Sequence, residues 1–273
     1  MKSRRVGACS WSLQAHGPAR LAEKLAAIGV DCVQLHLDPL RTQAWSAAET
    51  VLELASVNVE IRSGMMSMEG EDYSTLESIR STGGVRPAAT WAANRTAALD
   101  NARLARGLGL DLVTLHAGFL PHDRNDPERE EVLARLRELA DIFSAQGVRL
   151  GLETGQESAE TLLAALDDID RPSVGVNFDP ANMILYDMGE PIAALRALGR
   201  RVLQIHVKDA IRTQRAGMWG KEVRVGTGQV DWPAFFAVVR EHELRVDCMI
   251  EREAGSQRVE DMRAARELVE RLA

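Results

Sequence analysis

Four residues of this chain share metal-binding chemistry and a repeated context. Gly-Leu-Glu153, Asn-Phe-Asp179, Ile-His206 and Ile-Glu251 each close a short apolar run, at separations of 26, 27 and 45 residues. If those runs are parallel strands of a closed barrel, their C-terminal ends share one rim, and distance along the chain becomes proximity in space. Singly, each residue has an ordinary explanation. Glu153 caps the next helix, Asp179 before Pro180 starts a turn, His206 is a hydrogen-bonded core imidazole, and Glu251 in Glu-Arg-Glu is solvated. Together they put three carboxylates on one poorly solvated rim, where like charges raise one another's proton affinity and a cation removes the conflict. Three carboxylates and one imidazole form a mostly hard, oxygen-rich set. It suits one divalent metal ion, Mn2+ first, with Mg2+, Co2+ and Zn2+ also compatible, and leaves coordination positions open for a substrate.

The chain must supply the strands that carry these residues. Short β-branched or apolar runs at 5–9, 31–37, 57–62, 112–117, 149–153, 173–178, 202–207 and 247–251 read as strands. Helical spacing fills 19–28, 44–55, 90–108, 127–146, 158–166, 191–198, 232–241 and 257–272. Gly29, Gly109 and Gly147 end helical runs, while Asp126 before Pro127 and Asp231 before Pro233 mark helix starts. Eight alternations predict an α/β fold with an all-parallel sheet and right-handed crossovers, closed as a (β/α)8 TIM barrel. One such domain is expected over residues 1–273. Two glycine-rich segments, 63–89 and 211–229, follow the third and seventh strands and belong on the catalytic face.

Composition narrows the function. With 33 basic against 40 acidic residues the net charge is −7, which argues against nucleic acid as a partner and for a small ligand. The basic residues at the N-terminus precede only a short apolar run, and no apolar stretch reaches membrane-spanning length, so a cytoplasmic protein is expected. Cys9, Cys32 and Cys248 lie far apart in strand runs and read as reduced core residues. His16, His122 and His242 fall outside the strands and are given no role.

The chain resembles, over nearly its whole length, the xylose isomerase-like TIM barrels of sugar phosphate isomerases and epimerases, with ketose 3-epimerases and inosose dehydratases among them. The resemblance rests on Gly151-Leu-Glu153, Asn177-Phe-Asp179-Pro-Ala-Asn182, Ile205-His206-Val-Lys208-Asp209, Val225-Gly226-Thr-Gly228-Gln-Val-Asp231 and Ile250-Glu251-Arg-Glu253. It implies that Glu153, Asp179, His206 and Glu251 are the metal ligands, that Glu153 and Glu251 also move protons, and that the protein is a homodimer or homotetramer. The chemistry agrees. A cation bridging a substrate carbonyl and the neighbouring hydroxyl acidifies the adjacent C–H and stabilises the enediolate. Carboxylates on the fifth and eighth strands approach from different sides, so one takes a proton and the other returns it. The expected activity is sugar isomerisation or epimerisation, on a sugar or keto-sugar.

Departures from the ketose epimerases blur the substrate. Their histidine three residues after the sixth-strand aspartate is Asn182 here, and their substrate-facing glutamate is Ala159, with Glu157 nearby. Arg212 matches a substrate-binding arginine of that group. Lys208 shares the inward direction of His206, either to act on substrate or to pair with Asp209 or Glu253. His116 and His36, at the ends of the fourth and second strands, are further substrate-binding candidates, and Trp11 with Met65 to Met68 can wall the pocket. Lys221, Arg224, Gly226 and Gly228 offer a basic, glycine-lined place for a phosphate. Three rivals remain. One is a lyase or dehydratase on an inosose or 3-keto-sugar, one is a non-catalytic sugar-binding barrel, and one is an endonuclease IV-like repair enzyme, which needs more strand-end histidines and a less acidic chain.

Overall fold

The computed structural model describes residues 5–215 and 217–272. Its main sheet consists of β1 (Val6–Cys9), β2 (Cys32–His36), β3 (Glu60–Met65), β4 (Leu112–Leu115), β5 (Arg149–Glu153), β6 (Val174–Phe178), β7 (Val202–Val207) and β8 (Cys248–Ile250). Every neighbouring pair is parallel and β8 returns to β1, so the barrel is closed. The helices are α1 (Pro18–Ile28), α2 (Asp38–Arg41), α3 (Ala47–Ser56), α4 (Leu76–Thr82), α5 (Ala88–Gly107), α6 (Pro127–Ser144), α7 (Ala159–Ile169), α8 (Pro180–Leu185), α9 (Pro191–Leu198), α10 (Trp232–Glu241) and α11 (Arg258–Leu272). None is long and apolar enough to cross a membrane among the described residues.

Local signals act as the sequence suggests. The Asp126 carboxylate accepts from Glu128 N at 2.9 Å and that of Asp231 from Ala234 N at 3.0 Å, each satisfying a donor that the first helical turn leaves free. Gly29 ends α1 at φ +82°, its N–H reaching back to Leu25 and Ala26. Cys9, Cys32 and Cys248 are buried in the core. Against β6, Phe178 packs on Phe235 of α10 with centroids 5.9 Å apart, and Phe235 packs on Trp232 at 5.3 Å. Such burial stabilises by about 1.5–3 kcal/mol for each large apolar side chain.

The third strand differs from expectation. The apolar pattern predicts 57–62, but β3 runs from Glu60 to Met65. Val57 caps α3 and Asn58 turns the chain at φ +58°, so their side chains belong to the helix exit. The second half of β3 is Ser63-Gly64-Met65, which carries no strand pattern. Gly64 is there because a Cβ would come within 2.6 Å of Leu37.

The segment after β7 folds as a two-stranded antiparallel hairpin, Asp209–Ile211 with Lys221–Val223. Asp209 anchors it. Its carboxylate accepts from Ala210 N (2.9 Å), Gly226 N (2.8 Å), Gly228 N (3.1 Å), Val230 N (3.2 Å) and Trp232 Nε1 (3.2 Å). The glycine-lined cradle suggested for a phosphate is therefore filled by the chain's own carboxylate, and a Cβ on residue 228 would strike it at 2.1 Å. Asp209→Ala leaves these donors without an acceptor and is expected to lower stability by about 3 kcal/mol or more in urea unfolding. A loss under about 1 kcal/mol would show that water replaces the carboxylate there.

Candidate metal centre and substrate cavity

Glu153 ends β5, His206 lies on β7, and Asp179 and Glu251 stand one residue past β6 and β8. All are buried, at 5%, 0%, 0% and 3% exposure respectively. From His206 Nδ1 the distances are 3.4 Å to Glu153 Oε1, 3.6 Å to Glu251 Oε2 and 3.9 Å to Asp179 Oδ2. Two ligand atoms that each bind one ion at about 2.2 Å are at most about 4.4 Å apart, so these spacings fit a shared cation.

The local folding of Asp179 explains its orientation. Thr154 Oγ1 accepts from Asp179 N at 2.8 Å and donates to Asp179 O at 2.9 Å, fixing the backbone as it leaves β6. Asp179 then caps α8, its Oδ1 accepting from Ala181 N at 2.7 Å and Asn182 N at 3.0 Å. This leaves Oδ2 turned toward His206. Asp179 Oδ2 and His206 Nδ1 are both buried without a hydrogen-bond partner. Buried polar atoms are rarely left so, and here the two orphans are the atoms that face each other across the cluster.

Electrostatics separates the four. Burial raises the Glu251 pKa, but Lys208 and His206 outweigh it and hold the carboxyl well below its ordinary value. Glu153 is likewise raised by burial, yet His116 and His206 keep it below normal. At Asp179 burial wins over the attraction of Lys208, and Glu251 and Glu153 add to it, so this carboxyl lies well above the usual range. Burial opposes a charge on His206, but Cys9 and the carboxylates of Glu153 and Glu251 raise it well above an ordinary imidazole.

Glu153 and Glu251 of the cluster line a cavity of about 550 Å³, with Asp179 and His206 buried behind them. Lys208 Nζ donates to Glu251 Oε2 at 2.9 Å, Glu253 Oε2 at 2.6 Å and Asn182 Oδ1 at 3.3 Å, and it does not pair with Asp209. Asn182 Nδ2 donates to Glu153 Oε1 at 2.8 Å. Trp11 donates from Nε1 to Glu251 Oε1 at 2.7 Å, its ring tilted over His206. His116 Nε2 lies 3.7 Å from Glu153 Oε1. His36 reaches the cavity with Nε2 held 3.1 Å from Asp38 Oδ2. Met65 and Met66 line the wall, whereas Met68 does not.

Arg212 is not brought to the cavity. It pairs with Asp187 and donates to Gly189 O at 2.9 Å, which ties the hairpin to the loop between α8 and α9. Ala159 and Glu157 also lie off the cavity lining. Sequence reasoning missed Glu71, Tyr186, Trp219 and Glu222 of the lining, which come from irregular segments, a helix end and a three-residue hairpin strand too short for a periodic signal. It also missed Gln34, Asn177 and Gln204 beneath the cluster, although each interrupts an apolar strand two residues before a residue already singled out.

The model of the xylose isomerase-like TIM barrel family matches residues 22–272. A xylose isomerase domain protein from Planctomyces limnophilus has a solved structure that superposes with a TM-score of 0.90 at 32% identity, over 99% of this chain and 98% of that one. Among curated proteins, 3-oxo-isoapionate decarboxylase from Pectobacterium atrosepticum is 30% identical over 129 residues, covering 46% of each chain. L-ribulose 3-epimerase from a Methylomonas species is 27% identical over 139 residues, 47% of this chain and 43% of that one. The chain thus spans about half the length of the curated relatives it matches.

Glu157 provides a check on the burial described for this face. Desolvation pushes its carboxyl up to about 8 from an ordinary 4.5. A carboxyl whose folded pKa is raised keeps its proton in the folded state while the unfolded chain loses it, so stability falls as pH rises from about 4.5 to 8. Glu157→Gln is expected to remove that fall and to exceed the wild type by on the order of 2–4 kcal/mol at pH 8, with the gap closing toward pH 4. Urea unfolding across that range reads it. A gap that does not vary with pH would contradict the burial.

Proposed function

From the premise that the chain belongs to the xylose isomerase-like TIM barrel family, we propose that it is a divalent-metal-dependent isomerase or epimerase of an uncharged keto-sugar. The observation that carries this reading is the pair of buried, unpartnered atoms, Asp179 Oδ2 and His206 Nδ1, set between two further carboxylates. Glu153, Asp179, His206 and Glu251 would hold the ion. When bound, a divalent cation polarises a substrate carbonyl and acidifies the neighbouring C–H.

The chain's own residues divide the remaining work. Asp179 and His206 lie deepest and serve as anchors. Glu153 and Glu251 stand on opposite flanks, separated around the rim by β6 and β7, so they address different faces of a bound sugar. Each carboxylate is held in place by donors: Asn182 and Asn177 at Glu153, Lys208 and Trp11 at Glu251. One carboxylate takes the proton from carbon and the other returns it on the opposite face. Lys208, wedged between Glu251 and the outer carboxylate Glu253, stands where a proton can pass toward the mouth.

Charge supports an uncharged substrate. Among the described residues the lining contains Glu71, Glu153, Glu222, Glu251 and Glu253 but no arginine; its lysine is committed to Glu251 and Glu253, and Arg252 behind the wall pairs with Glu222. An anionic sugar acid would meet net repulsion. The lyase reading draws on the likeness to a decarboxylase. It shares an electron-rich intermediate next to a carbonyl and differs in the group that leaves.

In deuterated water the Mn2+-supplemented protein is expected to exchange carbon-bound hydrogen in at least one neutral keto-sugar, to lose that exchange in chelator and to regain it with Mn2+. Product analysis of the same samples separates epimer from elimination or decarboxylation product. Glu251→Gln is expected to lower exchange at least about 100-fold. Undiminished exchange in that variant would remove Glu251 from the mechanism, and a screen of neutral and anionic keto-sugars in which only the anionic ones react would overturn the substrate class.

A further inference from the structure

Beneath the cluster the barrel interior is polar, where barrels are commonly filled by branched apolar side chains. Gln34 of β2, Ser63 of β3, Thr114 of β4, Asn177 of β6 and Gln204 of β7 are each no more than 1% exposed. Gln34, Thr114, Asn177 and Gln204 stand two residues before His36, His116, Asp179 and His206, so alternation turns them inward, one layer below the rim. The pairing register of β2 with β3 slips between Val33 and Gln34, and that of β6 with β7 slips between Val176 and Asn177. Such irregularities re-aim a side chain, and here they fall at two members of the layer.

The bond directions in this layer are determined by what each group can do. Gln34 Nε2 lies 2.7 Å from Thr114 Oγ1 and 3.3 Å from Gly64 O. A carbonyl only accepts, so the Gln34 amide has its nitrogen on that side and its oxygen toward the centre. There Oε1 accepts from Gln204 Nε2 at 2.8 Å, and Gln204 is oriented in turn by Ser63 Oγ donating to its Oε1 at 2.6 Å. Asn177 Nδ2 donates to Glu153 Oε2 at 3.0 Å, which fixes that amide too.

His206 Nε2 lies between these two oriented amides, 2.8 Å from Gln34 Oε1 and 3.0 Å from Asn177 Nδ2. They make opposite demands. Beyond their bonds to Gln204 and Glu153, the oxygen of Gln34 can accept from Nε2 only if Nε2 carries a hydrogen, and the nitrogen of Asn177 can donate to it only if Nε2 offers a lone pair. A neutral imidazole with its hydrogen on Nε2 leaves a lone pair on Nδ1, the atom that faces Glu153, Asp179 and Glu251. The other tautomer points a hydrogen at that place.

We propose that Gln34 is a positioning residue that holds His206 in the tautomer with a lone pair on Nδ1, and thereby sets the affinity of the cluster for a divalent cation. This rests on the metal reading above, but Gln34 itself touches neither cation nor substrate. Removing its oxygen does two things at once. It takes away the strong acceptor for Nε2–H, leaving only the weakly accepting Cys9 sulfur at 3.6 Å, and so lets the donor of Asn177 at 3.0 Å favour the tautomer that cannot ligate.

The test compares Mn2+ dissociation constants of the wild type, Gln34→Met and Gln34→Glu, measured by electron paramagnetic resonance, beside the melting temperatures of the metal-free proteins. Both substitutions disturb the bonds to Thr114 and Gly64 and are expected to lower the melting temperature. Only glutamate keeps an oxygen against Nε2. Gln34→Met should weaken Mn2+ binding about 10- to 100-fold, whereas Gln34→Glu should stay within about threefold of the wild type or bind more tightly. Wild-type affinity in Gln34→Met, or an equal loss in both variants that follows the fall in melting temperature, would overturn the proposal. Should Gln34→Met fail to fold, Gln34→Glu decides alone: near wild-type affinity upholds the assignment and a loss of about tenfold or more overturns it. A wild type that binds no Mn2+ overturns the metal reading as well, which is a different result from binding that ignores residue 34.

Discussion

Three carboxylates crowd one imidazole nitrogen at the floor of the barrel mouth, with almost no water to share their charge. Burying like charges is costly, and it persists only where something positive stands among them. In the protein alone that part falls to the raised proton affinity of His206 and Asp179 and to Lys208. A divalent cation does the same work without a proton and leaves the carboxylates free to act as bases. The rest of the molecule can be read as what is needed to hold this unfavourable arrangement together.

The barrel contributes rigidity and convergence. Each of the four residues sits within one position of the end of a parallel strand, so closing the sheet brings them together without a long loop. Secondary contacts then choose the atoms. Capping of α8 consumes one oxygen of Asp179 and exposes the other, two asparagines occupy Glu153 from opposite sides, and the Trp11 indole and Lys208 hold Glu251. The polar layer below does for His206 what capping does for Asp179, since it decides which atom is left to face the cluster. Above, the Asp209-anchored hairpin and the segment after β3 wall the cavity and give it a carboxylate-rich lining.

Much of this was legible in the sequence, and the legible parts share a cause. Alternating apolar runs and helical spacing report burial, which strands and helices impose on every residue, so the eight-fold alternation and the four strand-end residues could be seen. What escaped was information carried by single side chains. The end of β3 is Ser63-Gly64-Met65, placed by the close approach of Leu37 rather than by an apolar pattern. Arg212 matched a family position, yet its partner Asp187 lies in a loop whose path no spacing predicts. The cradle at Gly226 and Gly228 looked ready for phosphate because nothing in the sequence says that Asp209 will turn back into it. Gln34, Asn177 and Gln204 did leave a trace, as polar residues in apolar strands on the inward parity, but the trace has meaning only once the closed barrel shows what they surround.

The central claim is that these four side chains jointly grip one divalent ion, and stoichiometric Mn2+ binding to the wild type and to Asp179→Asn tests it most directly. The substitution keeps the oxygen that caps α8 and replaces the unpartnered one with an amide nitrogen. One saturable site per chain that disappears or weakens at least about 100-fold in Asp179→Asn is the predicted result. An absence of any saturable site in the wild type, or an equally tight site in the variant, would contradict it.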